Sequence, residues 1–247
     1  MNSILEFLAE SLPTAKELLA FGPLSLLYGI LGISVAAGLK RGGWKTGYTR
    51  KIFHLFVFCG ATIVQLRGGT PAVCVFAVAL SAIIFVVLFR GRDHSAFHAI
   101  AREKDAPHEI HFVLVPWCAT ALGGVLANSW FGAAAVVGYA VTGLGDAIAE
   151  PVGTRFGKHR YRVLLSARQG THEPAMRSYE GSAAVFVAST LASAWTLSRL
   201  HTWESPSLWA IALGIGLAAA IVEGLSPHGW DNFTLQLVPS ALAAWAL

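Results

Sequence analysis

Charge is scarce in this chain. Only 13% of its 247 residues are Asp, Glu, Lys or Arg, whereas 55% are hydrophobic and the mean hydropathy is +0.58. A soluble domain carries roughly a quarter charged residues, so that class is excluded. Cysteine is also rare: Cys59, Cys74 and Cys118 lie in apolar runs without CxxC spacing, which excludes a disulfide framework and a zinc site. The N-terminus carries Glu6 and Glu10 and no basic stretch, so a cleaved signal peptide is not expected. Low-complexity tracts and clear internal repeats are missing, and no soluble domain can be carved from residues 1–247.

What the chain has instead is long apolar blocks of the kind a bilayer requires. Candidate spans fall at 22–39, 52–68, 71–89, 110–127, 130–149, 181–198, 208–224 and 233–247. Ahead of them, residues 3–20 space Ile4, Leu5, Leu8, Leu12, Ala15 and Leu19 helically among Glu6, Glu10 and Glu17, which reads as an amphipathic surface helix within 1–20. The expected fold is all-α: a polytopic integral membrane protein with seven to eight transmembrane helices, forming a single membrane-embedded domain over 1–247.

The net charge of +4 and the pI near 9.1 raise nucleic acid as a partner, but the placement of the cations argues against it. Of the 18 Lys and Arg residues, all but Lys16, Arg67 and Arg199 fall in three connections: before the second span, before the fourth, and after the fifth. Such asymmetry places those three connections in the cytoplasm and accounts for the pI with no nucleic acid. The longest polar connections, 90–109 and 151–179, are both on that side.

Gly145-Asp146-Ala147-Ile148-Ala149-Glu150-Pro151 ends the fifth span with two carboxylates one helical turn apart. Carboxylates beside a bilayer are costly and are functional candidates by default. Gly153 and Gly157, with Arg155, Lys158 and Arg160, add backbone N–H groups and cations, the parts of a polyphosphate site next to acids able to hold a hard divalent metal. The stretch is one residue short of a Walker A loop, has no Ser or Thr after the lysine and follows no strand, so a P-loop is rejected. Arg177-Ser178-Tyr179-Glu180-Gly181-Ser182 opens the sixth span, with Ser178 suited to capping it. Glu223 ends the seventh, before Asp231-Asn232. In the second span Arg50 and Lys51 stand four and three residues before His54, so the imidazole projects into the membrane near both cations. His94/His98 and His108/His111 read as chance spacings among nine histidines, and the latter pair is not HExxH.

Taken in order, Arg50-Lys51-x-x-His54, Gly145-Asp146-x-x-Ala149 with Gly153-x-x-x-Gly157, Arg177-Ser178-x-Glu180-Gly181-Ser182 and Glu223…Asp231-Asn232 resemble the polyprenol kinase family. That family comprises phytol, farnesol and dolichol kinases and is related to phosphatidate cytidylyltransferases. The resemblance is closest to the phytol kinase branch and covers about 45–235. It implies a CTP-dependent kinase for a long-chain isoprenoid alcohol, with Mg2+. By the same resemblance Asp146 and Glu180 belong to a metal–nucleotide site, Lys158, Arg177 and Ser182 contact phosphates, and Asp231-Asn232 complete the site. Many members carry lysine where Arg177 stands, and Arg can grip a phosphate bidentately.

Phosphoryl transfer asks mainly for positioning and charge neutralisation. The expected assignment is Mg2+ on CTP held by Asp146 with Glu180 or Asp231. Arg50, Lys51, Gly153, Arg155, Gly157, Lys158, Arg177, Ser178, Gly181, Ser182 and Asn232 serve the phosphates, and His54 or Glu223 orients the hydroxyl. The partners implied are CTP, the alcohol and membrane lipid, with homo-oligomerisation left open. Two alternatives stand beside this: cytidylyl transfer to a lipid phosphate, faintly suggested by Pro227-His228-Gly229-x-Asp231, and a transporter, which the near absence of mid-membrane charge disfavours.

Overall fold

The computed structural model describes residues 7, 9–163, 176–201, 205–227 and 229–247. Among the described residues five stretches are long and apolar enough to cross a membrane. Two of these, Thr46–Asp93 and Glu109–Phe156, are 48 residues each. Straight helices of that length would measure about 70 Å, more than twice a bilayer core of about 30 Å. Both are broken at a glycine with positive φ: Gly69 at +64° and Gly132 at +52°. Only glycine takes these angles without strain, so each stretch doubles back as a helical hairpin. Pro71 then starts the returning arm of the first, where its missing N–H costs nothing.

The helices are α1 (Ala15–Arg41), α2 (Thr46–Arg90, two arms meeting at Gly69), the short α3 (Ser95–Ile100), α4 (Glu109–Phe131), α5 (Ala135–Val141) and α6 (Ala147–Phe156). A π-helical turn, Thr142–Asp146, joins α5 to α6. There follow α7 (Tyr179–Leu200), α8 (Ser205–Leu225) and α9 (Asp231–Ala246). The architecture is all-α and that of an integral membrane protein. Its outer surface is apolar, with Leu19, Val78, Phe89 and Trp245 among the large side chains left exposed.

The first long helix begins earlier than its hydropathy suggests. Thr14 accepts from Glu17 N–H while the Glu17 carboxylate accepts from Thr14 N–H at 2.7 Å, a reciprocal cap that starts α1 at Ala15. The second half of the segment read as a surface helix is therefore continuous with the first apolar helix. The connection after α6 also differs from expectation. Arg160–Arg162 (β1) pairs antiparallel with Met176–Ser178 (β2), a two-stranded ribbon leading into α7.

Chain direction puts the start of α2, the end of α6, the start of α7, the end of α8 and the start of α9 at one end of the bundle. Polar contacts tie that end together: Lys40 Nζ donates to Thr46 Oγ1 at 2.8 Å, Thr49 Oγ1 to the Ala99 carbonyl at 2.7 Å, and Arg92 pairs with Glu109 at 2.7 Å. The core has two parts. One packs Ile33 of α1 on Phe53, Phe58, Phe76 and Leu80 of α2 and Phe97 of α3. The other joins Val136 and Val141 of α5 to Leu197 of α7, Ile215 of α8 and Leu235 of α9. Helices in lipid gain little from hydrophobic association and rely on close packing at small residues. At Gly138 a methyl group would come within 2.2 Å of the Gln236 carbonyl, so α5 and α9 touch backbone to backbone.

Candidate active site

The π turn at Thr142–Asp146 is the local device from which the site is built. A π turn inserts an extra residue into the helical ladder and re-aims the side chains that follow, and such turns concentrate at functional positions. Glycines let it sit close to its neighbours. A methyl group on Gly143 would lie 2.7 Å from the Phe58 side chain, and one on Gly145 would lie 2.4 Å from Ser189 Oγ. The turn is thereby clamped between the first arm of α2 and α7, and Asp146 is delivered, 3% exposed, to the side chains of Lys51 and His54.

Lys51 Nζ donates to Asp146 Oδ2 at 2.7 Å. His54 Nε2 lies 3.2 Å from the same oxygen and 3.1 Å from the Thr142 carbonyl. Carboxylate and carbonyl can only accept, so Nε2 carries the hydrogen, and Nδ1 is the acceptor whenever the ring is neutral. One turn further along α6, Glu150 Oε2 accepts from Arg50 Nη2 at 3.1 Å. Arg50 Nε is buried and has no hydrogen-bond partner among the described residues. A buried guanidinium N–H without an acceptor is costly, so this atom is available to a further acceptor.

A second charged group adjoins the first. Arg177, on β2, pairs with Glu223 at the end of α8, and its Nη2 lies 3.3 Å from the Ser226 carbonyl and 3.7 Å from Asp231 Oδ2. Asp231 and Asp146 lie within Coulombic range of each other, and Arg177 is close enough to act on both. Asn232 Nδ2 donates to Thr120 Oγ1 at 2.9 Å, which fixes the first turn of α9 against α4. The distant motif residues Arg50, Lys51, His54, Asp146, Arg177, Glu223, Asp231 and Asn232 thus gather at one end of the bundle.

The other motif residues form a rim. Glu180 accepts from the backbone N–H of His159 at 3.2 Å and sits 2.8 Å from His159 Nδ1. Among the described residues no three His, Cys, Asp or Glu side chains converge as a metal site. Ser178 caps α7 by accepting from Gly181 N–H at 3.1 Å. Gly153, Gly157 and Gly181 form a packing seam around that cap; a methyl on Gly157 would meet Ser178 Oγ at 2.7 Å. Ser182 Oγ lies 2.7 Å from Tyr161 OH. Arg155 covers the Phe156 ring at 5.4 Å, and Lys158 is exposed. His228 and 164–175 lie outside the described residues. His94 caps α3, accepting from Ala96 N–H at 3.2 Å, and His98 Nε2 donates to the Arg92 carbonyl at 2.7 Å, so these histidines serve the loop.

Sequence reading passed over Thr120, Thr142 and Tyr161. Thr142 acts through its carbonyl, which no side-chain pattern reveals. Thr120 and Tyr161 show a partner only once α4 meets α9 and β1 meets α7.

A cavity of about 380 Å³ opens from this charged end into the bundle. Arg50, Lys51, His54, Asp146, Asp231 and Asn232 line its polar mouth. Val57, Phe58, Ala61, Val73, Ala77 and Leu80 of the two α2 arms line its body, faced by Val113 and Trp117 of α4. Mostly apolar in its body and charged at one end, it suits an amphiphile.

Fold and site together define an all-helical integral membrane protein with a charged centre at the mouth of an apolar cavity. Over 113 residues the chain is 34% identical to phytol kinase of Synechocystis sp., a match covering 45% of this chain and 43% of that protein. No family model matches, and no solved structure matches.

Proposed function

We propose that this protein is a CTP-dependent kinase that phosphorylates the hydroxyl of a long-chain isoprenoid alcohol at the cytoplasmic membrane face. The observation that carries this reading is the cavity itself: an apolar channel of lipid dimensions ending on Lys51, His54, Asp146 and the unpartnered Nε–H of Arg50. The similarity to a phytol kinase supports a prenyl alcohol as acceptor and a phosphate donor as co-substrate. The basic end of the bundle supports the cytoplasmic assignment.

In this mechanism the tail lies among Val57, Ala61 and Leu80, and its hydroxyl reaches His54. The alcohol oxygen attacks the γ-phosphorus of CTP, the bond from that phosphorus to the β-bridging oxygen breaks, CDP leaves, and the hydroxyl proton passes to His54 Nδ1. Asp146 holds the imidazole by Nε2–H and so keeps Nδ1 as the base. Arg50, Lys51 and Arg177 neutralise phosphate charge. Magnesium, when bound, supplies charge neutralisation at the transferring phosphate. Asp146 and Asp231 suit it, because this ion is commonly held by one or two carboxylates plus substrate phosphates. Glu180 acts at the rim by fixing His159 and the ribbon.

The test is to supply the purified protein with γ-labelled nucleoside triphosphates and a panel of prenyl alcohols, and to identify both products. Labelled prenyl phosphate with CDP supports the reading; release of pyrophosphate with a CDP-lipid refutes it.

A further inference from the structure

The cavity has a second polar end. Asn128, near the far end of α4, accepts on Oδ1 from Gln65 Nε2 and from Thr70 Oγ1, both at 3.0 Å. Its Nδ2 donates to the Gly124 carbonyl at 2.9 Å and to Tyr139 OH. Thr70, Asn128 and Tyr139 line the cavity there. Gln65 Oε1 is buried and has no hydrogen-bond partner among the described residues, and a hydrocarbon tail pressed against these amide and hydroxyl groups can supply none. Between the two polar ends the wall is largely apolar, with Ser81, Thr120 and Gln236 among its polar exceptions.

We infer that the Gln65–Thr70–Asn128–Tyr139 network is a stop that sets the length of hydrocarbon held beneath the reacting hydroxyl. The depth follows from the helix that carries both ends. From His54 to Gln65 the first arm of α2 rises for eleven residues, about 16 Å at 1.5 Å per residue. An extended carbon chain with bonds near 1.5 Å advances roughly 1.25 Å per bond, so about thirteen bonds fit, or three isoprenoid units. A longer tail must either break the network, stranding buried polar groups, or bend out of the cavity. The acceptor's being an alcohol rests on the proposed function; the stop rests on the cavity alone.

The experiment uses the full chain purified in detergent and prenyl alcohols of ten, fifteen, twenty and fifty carbons. Two quantities are read for each: the rise in melting temperature on binding, and kcat/KM for phosphorylation. Fifteen carbons should stabilise most, twenty should fall below fifteen, and fifty should fall about tenfold below fifteen in kcat/KM. Asn128→Ala, which removes the centre of the network, should raise the ratio of fifty- to fifteen-carbon efficiency several-fold. Ala61→Phe places bulk in the cavity wall two turns beyond His54 and should favour ten carbons over fifteen. A flat length profile in both quantities overturns the stop, as does an unchanged profile in both folded variants. Alcohols that stabilise with the expected profile without being phosphorylated uphold the stop and refute the kinase. Alcohols phosphorylated equally at every length do the reverse.

Discussion

Replacing Lys51 by Met should be costly, and replacing Asp146 by Asn in the same chain should recover part of the cost. The ammonium and carboxylate stand 2.7 Å apart, with side chains 11% and 4% exposed. At an effective dielectric of 20 their attraction is about 6 kcal/mol, most of it offset by desolvating both charges. Removing one partner leaves the other charge buried, which typically costs about 3–5 kcal/mol. His54, 3.2 Å from the same Asp146 oxygen, puts Lys51→Met at the lower end, about 3 kcal/mol. For a domain of this size that is a fall of about 6–12 °C in Tm. Asp146→Asn alone should cost a similar amount, because Lys51 then has no carboxylate. The double variant removes both charges and should lie well above the sum of the singles, with a coupling of about 2 kcal/mol. Thermal unfolding in one detergent, followed for the four proteins together, measures this. Strict additivity, or single variants within about 2 °C of the parent, would refute a buried pair at the heart of the site.

Other consequences can be checked separately. Arg50→Ala should raise KM for CTP about tenfold with little change in KM for the alcohol, whereas Arg50→Lys, lacking Nε–H, should recover only part of it; steady-state kinetics with each substrate varied decides this. Gly145→Ala places a methyl 2.4 Å from Ser189 Oγ and should cost about 1–3 kcal/mol in thermal stability, relieved by adding Ser189→Gly. Asn232→Leu breaks the hydrogen bond to Thr120 that fixes the start of α9, and should lower kcat by about tenfold with the fold retained in circular dichroism. Chelating Mg2+ should abolish turnover in the parent, and Asp231→Asn should raise the Mg2+ concentration needed for half-maximal activity.

Much of the architecture could be read before any coordinates, for physical reasons. A bilayer forces long apolar runs, so α1, α2, α4, α7 and α8 are visible as composition alone. The hairpins are visible because a polypeptide reverses direction most easily at glycine, and Gly68-Gly69-x-Pro71 interrupts an otherwise continuous run. The start of α1 was also written in the chain, as Thr14-x-x-Glu17, but the helical spacing of leucines on either side hides it. The ribbon of β1 and β2 was not readable: three residues per strand give no periodicity.

For the site, the residue types were legible and the pairings were not. Asp146 and Lys51 are 95 positions apart, and Arg50 and Glu150 are 100. Only the crossing of α2 by the π turn decides that these meet. Glu180 shows the limit most clearly. Its motif position beside Ser178 and Ser182 suggests a place with Asp146, yet the turn before β1 brings His159 to it first. Gly153 and Gly157 resemble a phosphate cradle in sequence, whereas in the fold they pack on the Ser178 cap.

The most direct measurement is transfer of γ-labelled phosphate from CTP to a fifteen- or twenty-carbon prenyl alcohol, run side by side with the parent and with Asp146→Asn inserted in the same membrane. Labelled prenyl phosphate from the parent, and a loss of about a thousandfold or more in the folded variant, is the predicted result. Equal turnover by the two proteins would contradict the assignment of Asp146, Lys51 and His54 as the reacting centre.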